Sequence, residues 1–488
     1  MNKKQAVLLI LVCVGIFLIV YSPHFSCRFP LHIDEWHHIR QAIRLGNGNY
    51  ETITHYSIMG RQGISPSLFE IGFDIPLFLL SKLFNLVLIW QFLPAIWAVI
   101  SALVIFFIIK KKTDNCWIAL FSIIFFASLK SNVNILGMWF FVPLVFSIPL
   151  IFLYIYLFSE GLQNQNKKFI LISVVIIALL LFIHPISFLF SLPFLLIYLL
   201  FHAEYIRKEW KFFLLLLSVP ILGIIFYSFV FKLSLINSVF SFFEFMQFRK
   251  NAWGILEAGN SFFEVYSLLG CILAVIGGFV IFYLGKSRKY LVFLLWPVTL
   301  LISMLIFKLF EVSYLVPFQK NLYYFALSLP FLSSIGLYYS IKLIARKIER
   351  QNLRKLLSFL IVTAVLLAVF YNYSDTPKNY QLYQIINETD YSALLFLKNL
   401  ESGRVLAEPL LSSAILPVSG KEAVALTYYS PDFMEVYDFF KKNCSFKNQF
   451  LAEKNVSYVF YKNKINCNWK EIYSDKVFIY DVRNLERE

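Results

Sequence analysis

Apolar runs of about 17 to 25 residues, each long enough to cross about 30 Å of hydrocarbon as a helix, recur from the N-terminus to Tyr371 and then stop. A lone helix satisfies all its backbone polar groups internally, which hydrocarbon demands. With 59% hydrophobic residues and 54 Phe in 488, the chain has more apolar side chain than a soluble globule can bury. It reads as a multi-pass membrane protein.

The runs fall at 5–22, 90–109, 114–129, 140–158, 168–184, 186–202, 210–231, 263–285, 290–309, 323–343 and 355–371. That is about eleven spans. The stretch 69–84, FEIGFDIPLFLLSKLF, is apolar but carries Glu70, Asp74 and Pro76. It reads as a re-entrant or interfacial helix, because a span there would move Lys110–Lys112 to the opposite face; twelve or thirteen spans stay open.

The formal net charge of +15 belongs to the membrane part: residues 1–371 hold 30 Lys/Arg against 14 Asp/Glu, residues 372–488 hold 14 against 15. Basic residues cluster in short loops, at Lys110–Lys112, Lys167–Lys168, Arg207–Lys208, Lys286–Lys289 and Lys342–Lys355. Such loops face the cytoplasm under the positive-inside rule, so no nucleic-acid partner is implied. The N-terminus is then cytoplasmic, and the 23–89 loop and the tail face outward. MNKK and the following apolar run show no small-residue cleavage pattern and read as a retained span.

Two domains are expected: 1–371, a mainly α membrane helix bundle with its external loop 23–89, and 372–488, a small extracytoplasmic α/β domain. The tail shows a helix near 391–400, a strand at 404–407, a helix near 432–442, and strands in VSYVFYK and KVFIYDV. In an oxidising compartment its Cys444 and Cys467 could pair.

The acidic pair Asp34-Glu35 stands out. It follows the first span and opens the amphipathic segment DEWHHIRQAIRLGNG. Asp34 would cap a helix that lays Trp36, Ile39 and Ile43 on lipid and turns Arg40 and Arg44 toward head groups. The bare residues leave capping and chemistry both open. P-loop, GxGxxG, GxSxG, HExxH and paired CxxC signatures are absent, which counts against ATP-driven transport and against a soluble nucleotide-sugar enzyme.

With Asp34-Glu35, the segments FDIPLFLLSKLFNLVLIWQFLPAIWAVISALVIFFIIKKK and VPFQKNLYYFALSLPFL make the chain resemble the GT-C superfamily of integral membrane glycosyltransferases. That superfamily includes protein O-mannosyltransferases, aminoarabinose transferases and oligosaccharyltransferases. Lys320 stands where many relatives have Arg, and Ile75-Pro76-Leu77 where they have a Pro-Pro-Leu.

The resemblance implies inverting transfer of a sugar from a polyprenyl-phosphate donor to a protein, lipid or glycan acceptor on the outer face. Asp34 would be the general base. Glu35 would join it catalytically, orient it, bind a sugar hydroxyl or cap the helix. Lys320, Arg249 and Arg61 would stabilise the leaving phosphate. His38, Asp74, His184 and Tyr323 are further candidates for donor or acceptor contacts, against bland roles in ion pairs, turns and aromatic belts. No metal ligand set is assigned and no cofactor is required, though Glu35-x-x-His38 has metal-binding spacing, and Asp34, His38 or Glu244 could hold a divalent ion. The rival readings are a transporter or flippase of lipid-linked sugars and a noncatalytic membrane scaffold.

Overall fold

The computed structural model describes residues 2–47, 70–131, 135–216, 218, 225, 247–249, 262–371, 383–425 and 433–484. The chain divides into two compact units: Met1–Ser22, Pro94–Trp139 and Pro143–Thr376 form one, and Pro23–Leu93, Phe140–Val142 and Pro377–Glu488 the other. In this division the segment after the first apolar helix, Pro23–Leu93, groups with the tail from Pro377.

In the first unit the apolar runs fold as helices. Among the described residues of the chain six helices are long and apolar enough to cross a membrane: Lys3–Phe25, Leu86–Thr113, Pro143–Gln163, Leu291–Phe310, Phe318–Arg346 and Gln351–Val369. Asparagine and serine start several helices, because a helix begins with backbone donors that have no intrahelical acceptor. Asn2 caps α1 (Lys3–Tyr21), Asn115 the Cys116–Ala127 helix, Asn166 the Lys167–Ile183 helix and Ser267 the Leu268–Tyr283 helix. The run expected as one span at 186–202 is broken into Ile186–Leu189 and Leu192–Leu200. Pro193 has no N–H to donate to the Leu189 carbonyl four residues back, and at the break Ser191 Oγ donates to the Phe188 carbonyl at 2.6 Å. Most of the run at 210–231 lies outside the described residues.

Close packing here depends on small residues. A Cβ on Gly277 would collide with the Leu332 carbonyl, and one on Gly336 with the Leu273 carbonyl, so two helices meet backbone to backbone. Hydroxyl pairs fix the crossing: Ser122 Oγ to Ser334 Oγ at 2.8 Å and Tyr266 OH to Ser333 Oγ at 2.8 Å. At a helix end, Lys112 is almost fully buried, held by Glu160 and by Gln163 Oε1 at 3.0 Å. A two-stranded antiparallel ribbon, β1 (Gln247–Arg249) on β2 (Val312–Tyr314), puts Arg249 opposite Val312.

The second unit begins with α2 (Ile33–Gly46) and α3 (Ile71–Ser81). At eleven residues, α3 is roughly 16 Å long and cannot cross hydrocarbon alone. The tail contributes a four-stranded sheet in the order β3 (Arg404–Leu406), β4 (Val456–Tyr461), β6 (Phe478–Asp481), β5 (Lys470–Ser474). β3 runs parallel to β4, and the other pairs are antiparallel. Phe439, Phe450, Val459, Trp469 and Tyr480 fill the core beneath it. The helices Ser412–Ser419 and Cys444–Glu453 and strand β5 exceed the sequence expectation. Cys444 and Cys467 form a disulfide.

Loop and tail are joined by backbone and charge. Gln384 N donates to Leu31 O at 2.8 Å, His32 forms a bridge with Tyr383, and Arg28 pairs with Glu388 at 2.6 Å. Arg40 and Arg44, both buried, meet Glu422 at 3.5 and 2.6 Å. Burial lowers the Arg40 guanidinium to about 10, with Arg44 adding to the fall and Glu422 opposing it. The lipid-facing expectation for α2 is therefore corrected: Trp36 and Ile39 are fully buried in protein. An apolar stripe at helical spacing asks for an apolar partner and does not say whether it is lipid or protein.

Candidate functional site

The cap of α2 differs from expectation. His32, not Asp34, is the N-cap: its Nδ1 accepts from the Asp34 N–H at 3.1 Å, and Glu35 reaches back to the His32 N–H at 2.9 Å. An accepting Nδ1 carries no proton, so the 3.6 Å approach of Asp34 Oδ2 to that atom is not an ion pair. Asp34 is released from capping duty, with its side chain 34% exposed at the helix N-terminus.

Its neighbour is fully enclosed. Glu35 accepts from Leu31 N at 2.7 Å and His32 N at 2.9 Å on one oxygen, and from Trp90 Nε1 and Phe141 N, each at 2.7 Å, on the other. Burial pushes its carboxyl up to about 7, opposed by those four donors. Of the roles open for Glu35, the geometry shows the capping one, through its bond from the His32 N–H. Both of its oxygens are engaged and the residue has no solvent access.

One turn on, His38 Nδ1 lies 3.0 Å from Asp74 Oδ1 and its Nε2 3.7 Å from Glu70 Oε2. Burial alone would lower this imidazole, but the charges of Asp74, Glu70 and Asp34 outweigh it and raise its pKa. Asp74 is 1% exposed, so the pair is a buried ion pair tying α3 to α2. Among the described residues no three His, Cys, Asp or Glu side chains converge as a metal site. Both members of the Glu35-x-x-His38 spacing are already engaged, and Glu244 lies outside the described residues.

The remaining candidates belong to the first unit. Lys320, half-buried near the start of the Phe318–Arg346 helix, donates from Nζ to Ile135 O at 3.1 Å. β2 leads into this helix, and the ribbon pairs the Arg249 backbone on β1 with Val312 on β2. Tyr323 is fully buried, which removes it as an open stacking face. His184 ends the Lys167–Ile183 helix, with Nδ1 at 2.7 Å from Ser187 Oγ, which sits 2.8 Å from Tyr324 OH. That buried network supports the turn-forming role. Arg61 lies outside the described residues.

Sequence reasoning missed Trp90 and the Phe141 amide, the donors that enclose Glu35 from 55 and 106 positions away, and Glu422, the partner of both arginines. Nothing in the local pattern marks any of them.

No protein-family model matches the sequence, and no curated protein matches it by sequence. Solved structures do match by fold. The archaeal oligosaccharyltransferase AglB from Archaeoglobus fulgidus, in complex with an inhibitory peptide and a dolichol-phosphate, aligns with a TM-score of 0.57 at 14% identity, over 94% of this chain and 69% of that one. The A. fulgidus oligosaccharyltransferase tethered to an acceptor peptide containing the NVT sequon gives 0.56 at 13% identity, over 95% and 69%. Its complex with zinc and sulfate gives 0.55 at 15%, over 93% and 67%. A partly exposed carboxylate beside a buried one thus sits in a chain whose fold is similar to that of the A. fulgidus oligosaccharyltransferase.

Proposed function

We propose that this chain is a membrane glycosyltransferase that moves a sugar from a polyprenyl-phosphate donor to an acceptor on the extracytoplasmic face, with inversion. The observation that carries the reading is the split within the acidic pair. Glu35 is buried with four donors on its two oxygens, while Asp34 beside it stays accessible. A general base must be able to reach its substrate, and the partial exposure of Asp34, beside a neighbour that is fully enclosed, supports giving it that role.

In this mechanism Asp34 takes the proton of the acceptor hydroxyl as it attacks the anomeric carbon. Lys320, with Arg249 or Arg61, offsets the charge that grows on the departing phosphate. Lysine serves there as a point charge without the bidentate fork of arginine. The GT-C fold supports the reaction class. The dolichol-phosphate bound to one structural neighbour supports the donor class, and the acceptor peptide tethered to another favours a protein among the three acceptor classes. The Cys444–Cys467 disulfide supports an extracytoplasmic tail, and the basic short loops support a cytoplasmic N-terminus.

The test is transfer by purified full-length protein supplied with a panel of radiolabelled polyprenyl-phosphate sugars. Asp34→Asn keeps size and polarity but removes basicity, and it should cut transfer by about 10²–10⁴-fold with thermal melting unchanged. Unaltered transfer in this variant would overturn the assignment of the base.

A further inference from the structure

A cavity of about 370 Å³ opens within the second unit between α2, the turn after α3 and the tail helices Glu388–Lys398 and Ser412–Ser419. Its walls are apolar, with Ile43, Leu83, Phe84, Tyr391 and Leu395 among them, and its charged lining residues are Lys82 and Lys398. Among the described residues no Asp or Glu lines it. Both lysines are exposed, and neither has an ion-pair partner among the described residues. Lys82 is steadied by the Phe78 ring, 4.8 Å from its Nζ.

The cavity continues into an apolar stripe. Ile75, Leu79 and Leu83 recur at four-residue spacing and are 44%, 59% and 75% exposed, and Phe84 next to them is 52% exposed. Meanwhile Asp74 on the same helix is buried against His38. Large apolar side chains gathered beside unpaired cations form an amphiphile-binding surface, with the stripe for hydrocarbon and the lysines for an anion.

We propose that this cavity binds an anionic phospholipid, its headgroup phosphate between Lys82 and Lys398 and its acyl chains along Ile75, Leu79 and Leu83. The inference does not depend on sugar transfer. The lysines lie on separate segments, 82 on the turn after α3 and 398 at the end of a tail helix, so a bound headgroup bridges the external loop and the tail.

The experiment uses full-length protein in phosphatidylcholine nanodiscs carrying a photoactivatable phosphatidylglycerol or, in parallel, a photoactivatable phosphatidylcholine. The expected result is preferential labelling of the peptide around Lys82–Val87 by the anionic probe. Apparent affinity should fall about thirtyfold in the Lys82→Gln/Lys398→Gln double variant and about fivefold in each single one. Lys82→Arg/Lys398→Arg should retain it, which separates loss of charge from misfolding. Equal labelling by both probes, or an unchanged preference in the double glutamine variant, would overturn the proposal. So would full competition by inorganic phosphate, which would assign the cavity to a free anion.

Discussion

Adjacent carboxylates on one helical turn have opposite fates here. Asp34 is partly exposed, with His32 doing the capping, and Glu35 is buried, with Trp90 and the Phe141 amide closing over it. Glu35→Gln offers one acceptor oxygen where two stood and sets an NH₂ group against donors. It should lower stability by about 2–4 kcal/mol, read by thermal melting, and lower activity only as the folded fraction falls. His38 carries a pH signature. Its pKa is raised above the ordinary 6.5, so its pairing with Asp74 contributes stability that is full below about 6.5 and is lost as pH rises through the folded value. Melting temperature should therefore decline on the alkaline side, and His38→Gln should flatten that decline. The acidic pair Asp34-Glu35 was conspicuous in the sequence, two acids beside an apolar span. Their division of labour was not, because the groups that decide it are remote in the chain.

Helices were the most readable elements. Long apolar runs bounded by Asn or Ser caps at Asn2, Asn115, Asn166 and Ser267 carry their own start signals. What faces them is a different matter. α2 read as lipid-facing, yet it is buried among α3 and the tail, with Arg40 and Arg44 on Glu422. The contact between the Leu268–Tyr283 and Phe318–Arg346 helices depends on Gly277 and Gly336, where an added Cβ meets a backbone carbonyl that cannot swing aside. Gly336→Leu should force the helices apart, costing about 2 kcal/mol or more, and should appear as a lower melting temperature in detergent. Gly278, whose Cβ would meet nothing within 4 Å, provides the control: Gly278→Ala should leave melting unchanged.

Across the whole molecule, the second unit is assembled from segments distant in sequence, a loop at 23–93, the stretch 140–142 and the tail from 377. The Cys444–Cys467 disulfide, with 23 residues of separation, should contribute about 3 kcal/mol by restricting the unfolded tail. The Cys444→Ser/Cys467→Ser variant should melt correspondingly lower, and reductant should shift the wild type but not the variant. Sequence alone determined that the chain carries several helices apolar enough for a bilayer and that an α/β tail follows. Hydropathy and capping are local properties, so composition within one window suffices for them. Only tertiary structure decided that the segment after the first apolar helix joins the tail, that Glu35 is enclosed while Asp34 stays open, and that Lys82 and Lys398 rim one cavity. Each of those depends on which distant group occupies a given point in space, and no periodicity in a single segment encodes that.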